Sequence, residues 1–115
     1  MSVPSAFSPM GNTVVLTAAT SYPSAVQVPS STLGGNQYRI CNGSGTQACF
    51  LAWGETAAEA EANCVIPTGS GTNSKKVLYL LPNTDEILSF VPNAYFTAIT
   101  SANTSTLYIV PGDGL

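Results

Sequence analysis

The chain contains no histidine and only three basic residues, Arg39, Lys75 and Lys76. Histidine is the side chain most used for proton transfer near neutral pH and the commonest metal-binding imidazole. Most hydrolase, transferase and metalloenzyme sites lose their parts with it, so no enzyme, no metal and no cofactor are expected. Charge of either sign is scarce, at 8% of residues, against roughly 25% in an average soluble domain. The net charge of -3 leaves no basic field to neutralise phosphates. Neither nucleic acid nor an anionic membrane is therefore an expected partner. Stretches such as Val77 to Leu81 fall far short of the roughly 18 apolar residues that cross a bilayer, and no spanning segment is expected. Met1 to Gly11 carries no charge and is broken by Pro4 and Pro9. That is unlike the positive start and continuous apolar stretch of a secretory signal, so none is expected.

Cysteine is sparse and odd in number, with Cys41, Cys49 and Cys64. Free thiols, as in a reducing cytosol, are the expectation, and their default role is that of small buried side chains. A pairing of Cys41 with Cys49 across neighbouring strands of one hairpin is the alternative. Their spacings match no zinc knuckle, and no histidine is present as a fourth ligand.

What is present is a run of short segments rich in β-branched and aromatic residues, separated by Pro, Gly, Asn and Ser. They are 13–17, 25–28, 37–41, 48–53, 76–81, 86–91, 95–100 and 106–110, with 63–66 a weaker ninth. Pro29, Pro67, Pro82, Pro92 and Pro111 are expected to close strands, where a missing N–H does no harm. Asn42-Gly43-Ser44-Gly45 tolerates positive φ, so residues 37–53 read as a β-hairpin. Alternation puts Tyr38 and Ile40 on one face and Arg39 with Cys41 on the other. The 48–53 strand is apolar on both faces, Phe50 opposing Leu51 and Trp53, as for a strand covered on both sides by a second layer or a neighbouring subunit. The expected fold is all-β: a jelly-roll-like or related antiparallel β-sandwich of about eight strands with one short helix.

The helix is expected at 56–62, where alanines and glutamates favour it and Thr56 with Glu59 forms a capping box. Glu55, Glu59 and Glu61 are close in sequence. With no basic partner nearby, they read as helix-terminal charges and not as an acid and base pair. The loop 67–74, rich in Gly, Ser and Asn, is the expected site of mobility. Residues 13–115 form a single domain. Residues 1–12 form an extended N-terminal arm, whose composition disfavours regular structure. Val3, Pro4, Phe7, Pro9 and Met10 are its candidate partner contacts, because uncharged apolar side chains at a terminus gain by lying in a neighbour. Trp53 before Gly54 is the candidate exposed aromatic.

Five segments together carry a resemblance. They are Tyr38-Arg39-Ile40-Cys41-Asn42, the run from Ala48 through Cys49, Phe50, Leu51, Ala52 and Trp53 to Gly54, Glu86 to Pro92, Tyr95 to Thr100, and Thr106 through Tyr108 and Pro111 to Gly114. Over residues 37–115 the chain resembles small proteins encoded beside the capsid and tail genes of tailed bacteriophages. The resemblance implies a virion component: a head decoration or cement protein, made in the host cytoplasm, that binds the major capsid protein on the outside of the shell. A homo-oligomer, dimer or trimer, is expected. A positive mean hydropathy with so little charge also fits a subunit that loses surface to neighbours. The alternative is a tail-associated sandwich module binding a carbohydrate or host receptor through Trp53 and clustered tyrosines.

Overall fold

In the computed structural model residues 7–29, 37–68, 70–71 and 75–114 are described. Their strands are β1 (Phe7–Pro9), β2 (Val14–Ala18), β3 (Val26–Gln27), β4 (Gln37–Asn42), β5 (Cys49–Gly54), β6 (Val77–Leu80), β7 (Asp85–Ser89), β8 (Tyr95–Ile99) and β9 (Ser105–Gly114), with one helix, α1 (Ala57–Asn63). They form an all-β sandwich. One sheet has the order β1-β9-β4-β7, with β2 also on β9, and the other β3-β8-β5-β6. The pairings are nested. Strand β2 pairs with β9, β3 with β8, β4 with β7 and β5 with β6, all antiparallel.

Alternation decides which side chains meet between the sheets. Leu16 and Ala18 of β2, Tyr38 and Ile40 of β4, and Leu107 and Ile109 of β9 face Cys49 and Leu51 of β5, Leu80 of β6, and Phe96 and Ala98 of β8. Arg39 is exposed and Cys41 half-buried on the opposite face, as the pattern requires. Strand β5 is covered on its outer face too. Ala52 and Gly54 lie under α1, where Ala60 is fully buried. Thr56 caps that helix, its Oγ1 accepting from Glu59 N at 3.1 Å. A Cβ on Gly54 would stand 2.7 Å from Ala60 N, so only glycine lets the helix lie this close to the strand.

Tyr38 joins the two sheets. Its ring lies edge-on to Phe96 of the other sheet at 5.3 Å. Its hydroxyl, deep in the sandwich, donates to Val91 O at 2.8 Å and accepts from Ala94 N at 3.2 Å. The β7–β8 turn is thereby fixed to the core. Asn93 in that turn, and Asn83 in the β6–β7 turn, adopt positive φ after a proline, the Pro-then-left-handed order of a tight turn.

Several sequence expectations are corrected. Residues 37–53 are not a hairpin, because β4 and β5 belong to opposite sheets. Buried Asn42 diverts the chain: its Nδ2 is shared among Gln47 O, Leu80 O and Leu81 O, and its Oδ1 accepts from Ser44 N. The loop is thus tied to the β6–β7 turn and arches over the sandwich end. Residues 63–66 form no strand; Asn63 ends α1 and its Nδ2 donates to Trp53 O instead. Pro111 does not close the last strand, which runs on to Gly114. Pro111 O accepts from Met10 N, and in a strand the N–H of the same residue points the same way. The missing donor therefore falls in the gap where β1 replaces β2 alongside β9. Part of the N-terminal stretch is regular after all, since Phe7, Ser8 and Pro9 pair with Gly114, Asp113 and Gly112. Val3 and Pro4 lie outside the described residues, as do Gly69 and residues 72–74 of the glycine-rich loop.

Replacing Tyr38 by Phe leaves the Val91 carbonyl and Ala94 N–H without that hydroxyl. The variant is expected to lose about 1–3 kcal/mol of stability with the fold retained, read as a lower urea midpoint at unchanged slope.

Candidate functional site

Among the described residues, Glu55, Glu59, Lys76 and Ser89 line one cleft beside Trp53. It encloses about 290 Å³ and is lined by Trp53, Gly54, Glu55, Glu59, Lys76, Ser89, Phe90 and Val91. The end of β5 supplies Trp53 and Gly54. The close approach of α1 brings Glu59 over them, and the chain leaving β7 supplies Phe90 and Val91. Trp53 is half-buried, with its ring centroid 5.2 Å from that of Phe90. Phe90 touches Phe96 and Tyr38 in turn, so the aromatic wall continues into the core. Lys76 Nζ stands 3.7 Å from Glu59 Oε1, both side chains partly solvated.

The three glutamates diverge. Glu55 is exposed at the cleft, Glu59 faces Lys76, and Glu61 Oε2 accepts from Ala25 N at 2.9 Å, which holds the segment before β3 against the helix. The tyrosines do not line the cleft with Trp53: Tyr38 is core, Tyr95 is half-buried on β8 across from Gly54, and Tyr22, Tyr79 and Tyr108 are exposed elsewhere. Phe90 takes their place. Its position directly after a strand and before Val91-Pro92 was the available sign that it turns back onto the sandwich end.

A second surface is the outer face of the five-stranded sheet. Val15, Tyr108, Cys41 and Asp85 form one cross-strand row, and Val110, Arg39 and Ile87 the next. Val15 is 55%, Tyr108 43% and Ile87 46% exposed. The Tyr108 ring lies across Gly43, where an added Cβ would come within 2.8 Å of it. Arg39 and Asp85 form a solvated ion pair there, with Arg39 Nε donating to Asp85 Oδ2 at 3.1 Å. Such a pair contributes little to stability. No described element covers this face, whereas α1 and the chain before β3 cover much of the opposite sheet. Beside them an open groove of about 660 Å³ runs between Tyr22, Cys64, Val65, Ile66 and Ile99. The sequence missed Val15 and Ile87 as surface candidates, although Val15 alternates with buried Leu16.

Of the predicted contacts, Phe7 and Pro9 lie in β1 and Met10 follows it, exposed. One row across the sheet runs Pro9, Gly112, Gln37, Ser89. The N-terminal strand and the Trp53 cleft therefore share an end of the sandwich, about 14 Å apart by strand spacing.

The cysteines are free thiols. Cys41 points out of one sheet and Cys49 into the core from the other, which removes the geometry for their pairing. Burial, then the nearby Cys64, pushes the Cys49 thiol up to about 12. Burial pushes Cys64 up to about 11, partly offset by its hydrogen bond with Thr97. No three His, Cys, Asp or Glu side chains converge as a metal site among the described residues. No helix there is long and apolar enough to cross a membrane. No known protein family, curated protein or solved structure matches the chain.

Two expectations follow for the thiols. A disulfide reagent at pH 8 should label Cys41 readily, while fully buried Cys49 reacts only at the rate of unfolding. Because both buried thiols titrate above their ordinary value of 9.0, the stability they lend is intact below that pH and lost as pH rises toward 11–12. Denaturant midpoints across that range check it, and a flat profile would contradict it.

Proposed function

We propose that this chain is a structural virion protein, non-enzymatic, of the head decoration or cement type. It binds the outside of a phage capsid and bridges adjacent copies of the major capsid protein as a dimer or trimer. The observation that carries the reading is the outer face of the five-stranded sheet, covered by no described element, where Val15, Tyr108 and Ile87 stand exposed on strands in a chain with very few charges. A face of this kind gains roughly 25 cal/mol for each Å² of apolar surface removed from water. Many such contacts repeated over a shell add through multivalency. Exposed Tyr79, Leu81 and Val65 on the other side of the sandwich suit a subunit with more than one neighbour.

The strand order supports a jelly-roll winding. Strands β2 to β9 pair first with last, inward to β5 and β6, which are joined by the long connection that carries α1. This ribbon of pairs folds over so that from β2 to β9 successive strands fall in opposite sheets, except β5 and β6, which pair within one sheet. The resemblance of residues 37–115 to phage virion proteins points the same way. Strand β1 and the exposed Met10 after it lie at the cleft end of the sandwich and are the second contact in this reading.

The test is sedimentation of the chain with heads of the phage that encodes it. The parent should co-sediment. Val15→Glu and Ile87→Glu, both at exposed strand positions, should change stability by no more than about 0.5 kcal/mol yet release the protein from the heads. A parent that remains a free monomer, or charge variants that bind as the parent does, would overturn the proposal.

A further inference from the structure

We infer that the Trp53 cleft is a binding site for a neutral pyranose sugar, a function separate from any contact made by the sheet faces. The aromatic wall is fixed in place. Phe90 closes on the indole with its centroid 5.2 Å away and is itself packed against Tyr38 and Phe96 of the core. A half-buried indole held this way offers a flat, weakly hydrated surface to the apolar C–H face of a sugar ring.

The rim supplies what the hydroxyls of that ring need. Glu55 and Glu59 accept, Lys76 donates, and exposed Ser89 does either. The 3.7 Å ion pair between Lys76 and Glu59 uses only part of each group's capacity. A sugar hydroxyl both donates and accepts, so this mixed set matches it better than it matches a ligand of one kind. Two carboxylates against one ammonium disfavour an acidic sugar, and Lys76 offsets the Glu59 charge 3.7 Å away. The volume, about 290 Å³, is at the small end for ligand pockets and suits one ring over an extended chain.

The chain has a single tryptophan, so its fluorescence reports on this cleft alone. Full-length protein is titrated with methyl glucoside, methyl galactoside, methyl mannoside and N-acetylglucosamine up to roughly 50 mM, with glucuronate, choline and arginine as charged probes. At least one neutral sugar should give a saturable shift. Glu55→Gln, at an exposed position, should weaken it roughly tenfold, while Tyr22→Ala in the separate apolar groove leaves it unchanged. No saturable response to any neutral sugar would overturn the inference. So would a response insensitive to Glu55→Gln, or tighter binding of glucuronate, choline or arginine than of the neutral sugars. Binding to phage heads is a separate readout, so failure there and failure here are distinguishable.

Discussion

The buried hydroxyl and ring of Tyr38 set the geometry on which the rest of the molecule depends. Its backbone sits in the five-stranded sheet, its ring packs on Phe96 of the other, and its hydroxyl holds both sides of the β7–β8 turn. A buried phenol needs partners, and the backbone groups it finds here are those of the turn whose Ala94 O also accepts from Val28 N. Fixing the turn fixes Phe90, and Phe90 fixes Trp53. One polar contact in the core thus determines the shape of a surface cleft. Asn42 does the equivalent at the other end, where its amide gathers three carbonyls from two connections.

The strands were legible because their signal is local. Alternation at Tyr38-Arg39-Ile40-Cys41 and at Leu107-Tyr108-Ile109 assigns the buried face without knowledge of any partner. The short helix was legible for the same reason, from Thr56 and the alanines that follow. Partnership between strands is not local. The Asn42 to Gly45 turn chemistry suits a hairpin as well as it suits an arch, and the decision is made by carbonyls of Leu80 and Leu81, nearly forty positions away. Pro111 misled in a similar way, since a proline inside a strand is tolerated only if its missing donor meets a gap, and that gap is made by the distant residues between Pro9 and Val14.

The candidate site was half legible. Trp53 before Gly54 stood out as the candidate exposed aromatic, and it lies half-buried in the cleft. Its aromatic neighbour was misassigned: the tyrosines that composition offered are scattered, and Phe90 reaches the indole only because the turn after it is pinned. The outer face of the five-stranded sheet was readable in principle from Val15 and Ile87. Against a background so poor in charge, a few exposed apolar residues on strands do not stand out until cross-strand register puts them in adjacent rows. That scarcity of charge links fold to function in this account. It leaves the faces of the sandwich with few of the solvated side chains that keep soluble proteins apart, the Arg39–Asp85 pair among them, and a repeated shell of partners is a setting in which such faces are stable.

The most direct measurement is the image of heads decorated with this protein, at a resolution that distinguishes the two sheets. The account predicts sandwich-shaped density on the outer shell surface, with strands β2, β9, β4 and β7 turned toward the major capsid protein and Val15, Tyr108 and Ile87 buried in the contact. Heads without added density, or density in which that sheet faces solvent, would contradict it.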